Sequence, residues 1–154
     1  MMNAKPVTRE DILGSWRLIR TYETIDGLES SRLPLGAGAY GIIHYLPDNR
    51  MYVMMANGGR ARMSSGRYTS GVEETAASAK SFTAYAGLYT VKDDVIAHHL
   101  DICLYENDTG TDYIRIPVLA GNRLTLKMPP HPTGKGVVQW CLEWEKMGPG
   151  ELLP

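Results

Sequence analysis

The sequence predicts an all-β fold in which about eight antiparallel strands close into a barrel. The chain has 16 glycines, nine prolines and nine tyrosines but one phenylalanine, a composition typical of strands joined by many turns. Runs of alternating apolar and polar residues are separated by short turn signals such as Pro47-Asp48-Asn49 and Lys92-Asp93-Asp94. An up-and-down sheet of this size avoids exposed edges by closing on itself, and a two-sheet sandwich is the alternative.

The length and charge of the chain indicate one domain with its own core. With 154 residues and a formal net charge of −1, residues 1–154 are expected to fold as a single domain. Acidic and basic residues are interspersed, which argues against the clustered basic face of a nucleic-acid-binding protein. No run approaches the roughly 18 apolar residues of a membrane span, and residues 1–10 lack the apolar stretch of a signal peptide. We therefore expect a cytoplasmic protein whose cysteines, Cys103 and Cys141, are reduced and packed as small hydrophobic side chains.

Two helices interrupt the predicted strands. Thr8-Arg9-Glu10-Asp11 combines a capping residue with acidic residues in the first turn, and it predicts a short N-terminal helix that ends before Gly14. Gly71 to Lys80 predicts an inserted helix, with glutamates in its first turn, that fades near Tyr85. The predicted strands span residues 14–23, 40–46, 50–56, 86–91, 95–105, 112–119, 123–128 and 136–146.

The longest predicted strand, residues 95–105, carries two adjacent histidines. Side chains on a strand alternate between faces, so His98 and His99 must point in opposite directions. His98 shares its face with an almost purely apolar row, which predicts that it points inward. The other members of that row are Ile96, Leu100, Ile102 and Leu104.

A Gly-X-Trp sequence, Gly14-Ser15-Trp16, follows the N-terminal helix and resembles the opening of the lipocalins. More of the chain is similar to the small intracellular lipocalin-like domain family, in segments spread over nearly its whole length. Those segments include Gly41-Ile42-Ile43-His44-Tyr45, Ala84-Tyr85-Ala86-Gly87, His98-His99-Leu100-Asp101, Gly110-Thr111-Asp112, Arg123-Leu124-Thr125-Leu126 and Leu142-Glu143-Trp144-Glu145. The resemblance implies a lipocalin-type antiparallel barrel with a central cavity. It points to His98, His99 and Arg115 as family-type positions, and it transfers no catalytic set.

The more apolar face of each predicted strand is expected to line the interior. That lining is apolar and aromatic with a few polar groups, which is the composition of a small-molecule pocket. The predicted substrate-binding residues are Trp16, Arg20, Met51, Val53, Met55, Tyr89, Leu100, Trp140 and Trp144.

Four residues are predicted to carry chemistry. His98 can act as a general acid or base near neutral pH, and Tyr45 can supply a phenolic donor, a role for which Tyr89 is an alternative. An inward Arg115 would keep its charge and need a partner, which an anionic or carbonyl-bearing ligand would provide. His99 is a second candidate, because a register error of one residue exchanges it with His98. The structural alternative for Arg115 is a residue that caps the barrel, stacks on Trp16 or Trp144 and bonds to backbone carbonyls. The alternative for His98 is a hydrogen-bonded core histidine without catalytic work.

These residues suggest a cofactor-free isomerase, cyclase or lyase that acts on a small hydrophobic carbonyl compound, such as a polyketide-type or terpenoid intermediate of secondary metabolism. The alternative is a non-catalytic carrier of a small apolar or aromatic molecule. Neither hypothesis needs a metal or another cofactor, and the expected partners are the small ligand and, as a further option, a second copy of the chain. His131, in a proline-rich loop, is a less favoured candidate for the barrel mouth.

Overall fold

The computed structural model describes residues 5–153 of the protein. The predicted fold class is confirmed, because eight antiparallel strands form a closed barrel and two α-helices accompany them. The helices are α1 (Arg9–Ile12) and α2 (Val72–Lys80). The strands are β1 (Gly14–Ile25), β2 (Leu28–Glu29), β3 (Tyr40–Tyr45), β4 (Arg50–Ala56), β5 (Phe82–Lys92), β6 (Val95–Cys103), β7 (Asp112–Ala120), β8 (Arg123–Lys127), β9 (His131–Thr133) and β10 (Gly136–Lys146).

Closure depends on the pairing of the first and last long strands. The order of the barrel strands is β1-β3-β4-β5-β6-β7-β8-β10, and β10 returns to pair with β1. Nine residue pairs join β1 to β10, from Trp16 opposite Lys146 to Ile25 opposite Val138. The short strands β2 and β9 extend β1 and β10 outside the closed ring. A barrel, and not a two-sheet sandwich, therefore satisfies the edges of these eight strands.

The first helix covers one end of the barrel. The Asp11 carboxylate accepts a hydrogen bond of 2.9 Å from the backbone N–H of Thr8 and so caps α1. Ile12 is fully buried, and its carbonyl accepts a hydrogen bond from the indole N–H of Trp16 at 2.9 Å. Arg9 bonds to Asn49 in the β3–β4 turn. The Gly-X-Trp opening thus attaches the helix to the start of the barrel.

The inserted helix ends earlier than predicted. α2 ends at Lys80, and β5 begins at Phe82, so the expectation that the helix fades near Tyr85 is wrong. Residues 82–85 pair with β4, from Phe82 opposite Ala56 to Tyr85 opposite Val53. Strand pairing in the closed barrel outweighs the weak helical pattern of this short segment.

A bulge in β1 corrects the predicted direction of Arg20. The β1–β10 register shifts between Leu18 and Arg20, so Ile19 is an extra residue without a partner on β10. The prediction that Arg20 faces the interior is therefore wrong. Its side chain lies outside and forms ion pairs with Glu29 and Glu143 at 2.5 and 2.8 Å.

A second bulge corrects the end of the histidine strand. Ala86 pairs with Ile102 and Gly87 pairs with Leu100, which leaves Asp101 as the extra residue. Beyond the bulge the faces exchange, so the predicted inward placement of Ile102 and Leu104 is wrong, and both side chains are exposed. A Cβ on Gly87 would lie 1.8 Å from the His99 carbonyl oxygen, so the close approach of the strands here requires glycine.

Both cysteines in the described part of the chain are free thiols, Cys141 buried and Cys103 half-buried against the core. A search of residues 5–153 for a helix long and apolar enough to cross a membrane finds none.

Candidate functional site

A cavity of about 710 Å³ opens inside the barrel. Its wall includes residues from the C-terminal parts of β1 and β4 and from the N-terminal parts of β5 and β7. The cavity therefore lies at the end of the barrel opposite α1. The volume lies within the roughly 300–1,000 Å³ of small-molecule sites. Six apolar side chains form much of its wall: Pro34, Leu35, Met55, Met128, Trp140 and Leu142.

Arg115 on β7 is a nearly buried cation in the wall of this cavity. It is 7% exposed, and its guanidinium donates a hydrogen bond of 2.9 Å to the Ile114 carbonyl. Its central carbon lies 5.2 Å from the centre of the Tyr113 ring, so it stacks on Tyr113 and not on the predicted Trp16 or Trp144. Among residues 5–153 no carboxylate lies within 4.0 Å of the Arg115 guanidinium. Its charge is therefore available to a ligand.

His98 lies in the core, next to the cavity but not in its wall. The ring is fully buried between two tyrosines. Tyr45 Oη lies 2.8 Å from its Nε2 atom, and Tyr85 Oη lies 3.0 Å from its Nδ1 atom. The inward direction predicted for His98 is observed, and the structure places it beside Tyr45. The structure adds Tyr85 as the group between His98 and the cavity.

All three members of this Tyr45–His98–Tyr85 chain are neutral at neutral pH. Burial, together with the positive charge of Arg115, holds the pKa of His98 well below its ordinary value. Burial also raises the pKa of Tyr45 and of Tyr85, although the charge of Arg115 opposes both shifts. The chain therefore holds hydrogen bonds of fixed direction and carries no formal charge.

Tyr85 was not among the predicted site residues. It lies where the inserted helix is predicted to fade, before the predicted start of the strand at Ala86. The signal was nevertheless present, because Tyr85 and Tyr89 are four residues apart on one strand and must share a face. Tyr113 and Thr21, which also line the cavity, were missed as well. The β1 bulge turns Thr21 inward in place of Arg20.

The predicted substrate-binding residues divide into two groups. Met55 and Trp140 line the cavity. The others, apart from Arg20, are buried in the filled half of the barrel and do not line it: Trp16, Met51, Val53, Tyr89, Leu100 and Trp144.

Trp140 is held by a buried carboxylate. Its indole N–H donates a hydrogen bond of 2.9 Å to Glu23, which the β1 bulge turns inward. The Arg32 guanidinium lies 5.1 Å from the centre of the Trp140 ring, on a loop near the mouth. Trp140 is thus a fixed part of the cavity wall.

His99 points outward, as its position next to His98 requires. Its Nδ1 atom lies 2.7 Å from Asp112, and its Nε2 atom lies 3.1 Å from the Thr90 hydroxyl. His131, at the start of β9, is the histidine among the described residues that lines the cavity. No cluster of three or more His, Cys, Asp and Glu side chains in this part of the chain is placed to hold a metal ion.

The comparisons with known proteins agree with this architecture. The family model described as a lipocalin-like domain matches residues 13–147, from the residue before β1 to the residue after β10. No curated protein and no solved structure matches the chain. A barrel of this kind suggests small-molecule binding. Because the match covers nearly all of the closed barrel, the chain belongs to the family of lipocalin-like domains.

Proposed function

We propose that the barrel binds a small hydrophobic molecule through a carbonyl or carboxylate oxygen and promotes a cofactor-free isomerisation, cyclisation or elimination of it. One observation carries this proposal. A nearly buried guanidinium, Arg115, with no carboxylate within 4.0 Å among residues 5–153, and a phenol, Tyr85, lie in the wall of one largely apolar cavity. An uncompensated buried cation is costly, and a ligand oxygen would supply the partner.

The chemistry that suits these groups is stabilisation of an enolate-like oxygen. A base removes a proton from the carbon next to a carbonyl, and the electron pair of that C–H bond moves toward the carbonyl oxygen. Arg115 and Tyr85 would donate hydrogen bonds to the developing oxyanion, an effect worth about 10²–10³ in rate for one donor. His131, on the cavity wall, is a candidate for the base.

His98 has an indirect role in this proposal. The sequence suggested a histidine that exchanges protons with the substrate, but both ring nitrogens face tyrosine hydroxyls in the core. Tyr85 would therefore contact the substrate, and His98 would act through it. His99 would take no part, since it faces away from the cavity.

The burial of His98 favours a second candidate, a non-catalytic carrier. A fully buried histidine whose two ring nitrogens both face tyrosine hydroxyls also fits a site that only binds. The cavity would then recognise an apolar or aromatic body by its wall and an acceptor oxygen by Arg115. A cytoplasmic location, a role in secondary metabolism and a homodimer stay predictions.

A simple aromatic ketone, α-tetralone, separates the two functions. In D₂O the enzyme hypothesis predicts that the protein accelerates deuterium uptake at the carbon next to the carbonyl, measured as loss of that proton signal by NMR. Arg115→Met and Tyr85→Phe are each expected to lower the acceleration at least about tenfold, because each removes one oxyanion donor.

Arg20→Met is the matched control, since it removes an arginine that lies outside the barrel. Saturation-transfer NMR on the same samples reports binding. If α-tetralone binds but exchanges no faster than in buffer, the enzyme hypothesis is wrong and the carrier hypothesis is supported. If α-tetralone does not bind, both the enzyme and the carrier hypothesis are contradicted for this class of ligand.

A further inference from the structure

We propose that Tyr45, acting through His98, fixes the Tyr85 hydroxyl as a hydrogen-bond donor toward the cavity. The site would then select a ligand whose polar group is an acceptor-only oxygen, such as a carboxylate, a sulfonate or an enolate. This inference rests on the proposed binding function, which it makes more specific. It assigns Tyr45 as a positioning residue, since Tyr45 does not touch the cavity.

The hydrogen of the Tyr45 hydroxyl sets the direction of the hydrogen-bonded chain. Tyr45 is fully buried, and among residues 5–153 the partner of its hydroxyl is His98 Nε2, at 2.8 Å. A buried hydroxyl hydrogen needs an acceptor. If Nε2 carried the proton, the Tyr45 oxygen would accept from it. The hydrogen of the Tyr45 hydroxyl would then have no acceptor among residues 5–153. The Nε2 atom is therefore the unprotonated nitrogen.

The tautomer of His98 follows directly. A neutral imidazole has one N–H, so the proton is on Nδ1. At 3.0 Å this N–H donates to Tyr85 Oη. The Tyr85 oxygen is thus an acceptor toward His98.

The Tyr85 hydroxyl hydrogen is then left without a partner inside the described part of the protein. It cannot return to Nδ1, which already carries a proton, and the neighbouring Arg115 guanidinium has donors but no acceptor. Tyr85 lines the cavity, so its hydrogen is directed there. Two donors from different strands, Arg115 on β7 and Tyr85 on β5, consequently face one region of the cavity.

A ligand group must accept from both donors to fit this arrangement. A carboxylate, sulfonate or enolate oxygen has lone pairs and no hydrogen of its own. An ammonium group would be repelled by the charge of Arg115 and has no lone pair to accept from either donor. The preference therefore extends beyond charge to the direction of a single hydrogen bond, which Tyr45 sets from the far side of His98.

The first test needs no ligand. In protein labelled with ¹⁵N-histidine, long-range ¹H–¹⁵N correlation NMR distinguishes protonated from unprotonated ring nitrogens. We expect His98 with a protonated Nδ1 and an unprotonated Nε2. The opposite tautomer would overturn the inference while leaving the binding function to its own test.

The second test uses Tyr45→Phe and two dyes, 1-anilinonaphthalene-8-sulfonate (ANS) and its neutral analogue N-phenyl-1-naphthylamine. Without the Tyr45 hydroxyl, no donor fixes Nε2 as an acceptor, so the two His98 tautomers come closer in energy and Tyr85 can turn its hydrogen to Nδ1 in part of the molecules. We expect a fraction of Nε2–H to appear in the NMR spectrum. The affinity for ANS is expected to fall about fivefold, because the Tyr85 hydrogen bond to the sulfonate is weakened but not removed. The affinity for the neutral dye is expected to stay the same.

Tyr52→Phe is the matched control, because it removes a tyrosine hydroxyl 3.0 Å from a histidine, His44, on the outer face of the barrel. It should change neither the His98 tautomer nor the ANS affinity. An unchanged tautomer and unchanged ANS affinity in Tyr45→Phe would overturn the positioning role. If Tyr45→Phe does not fold, the tautomer of His98 in the wild-type protein still tests the inference. Failure of ANS to bind the wild-type protein would count against the proposed function, independently of the tautomer.

Discussion

Arg115→Met is expected to weaken ANS binding about 10- to 100-fold. The sulfonate of ANS would accept hydrogen bonds from a nearly buried guanidinium that has no carboxylate partner among the described residues. Hydrogen bonds to charged groups contribute roughly 1.5–3 kcal/mol, which corresponds to this range of affinity. Methionine keeps most of the length of the side chain, so the shape of the cavity wall changes little.

Fluorescence titrations with both dyes measure this effect. N-phenyl-1-naphthylamine, which lacks the sulfonate, is expected to bind the wild-type and Arg115→Met proteins with similar affinity. Arg20→Met should leave both affinities unchanged, because Arg20 pairs with Glu29 and Glu143 outside the barrel. Equal losses of affinity for the two dyes would contradict the assignment of Arg115 as the anion anchor, since they would report damage to the cavity as a whole.

His98→Leu is expected to lower the free energy of unfolding by roughly 3–5 kcal/mol. Leucine has a similar size but cannot bond to the hydroxyls of Tyr45 and Tyr85. Each buried hydroxyl left without a partner costs about 1–3 kcal/mol, and altered packing in the core adds to this. Chemical denaturation of the two proteins at pH 7.5 measures the difference.

The adjacent histidine supplies the control. His99→Leu removes only partly exposed contacts with Asp112 and Thr90, so a loss below about 1 kcal/mol is expected. Adding Tyr45→Phe to His98→Leu should recover part of the lost stability, because it removes an orphaned hydroxyl. Equal losses for His98→Leu and His99→Leu would contradict the account of the buried chain.

The pH dependence of stability provides an independent signature of His98. Its pKa is lower in the folded protein than the ordinary value of about 6.5, so the unfolded chain takes up the proton first. Stability is therefore fully present above about pH 6.5 and is lost as the pH falls, by up to about 1.4 kcal/mol per pH unit. His98→Leu should lack this contribution, and its stability should fall less steeply between pH 6.5 and 5.

The strand count, the closed barrel and the inward direction of His98 could be predicted because they depend on local patterns. Turn signals divide the chain, and alternation within each strand gives one face to the core. In β1 and β6 this reasoning is correct up to the bulge. Trp16 and Leu18 in β1, and Ile96, His98 and Leu100 in β6, are all buried as expected.

The errors in β1 and β6 begin at the two bulges. Ile19 and Asp101 are the extra residues; isoleucine is common in strands and aspartate is uncommon there, but neither residue type by itself marks a bulge. A bulge depends on how two distant strands fit in the closed barrel, and so alternation along one strand does not reveal it. The consequence is specific: Arg20 and Ile102 leave the interior, and Thr21 enters the cavity wall.

The candidate site was predicted in part for a similar reason. His98 could be identified as the polar member of an apolar row, and the family resemblance pointed to Arg115. Their distances from Tyr85 depend on the position of β5 between β4 and β6 in the barrel. The periodicity of a single strand does not reveal that position. The cavity itself depends on which interior positions remain unfilled, a property of the whole barrel.

A crystal structure of the protein with ANS bound would show whether Arg115 and Tyr85 hold the ligand. We expect the naphthalene to lie in the cavity beside Trp140 and Met55. We also expect a sulfonate oxygen within about 3.2 Å of both the Arg115 guanidinium and the Tyr85 hydroxyl. ANS bound instead to the outer face of the barrel, against the exposed side chains of Ile102 and Leu104, with the cavity empty of dye, would contradict the assignment of this site.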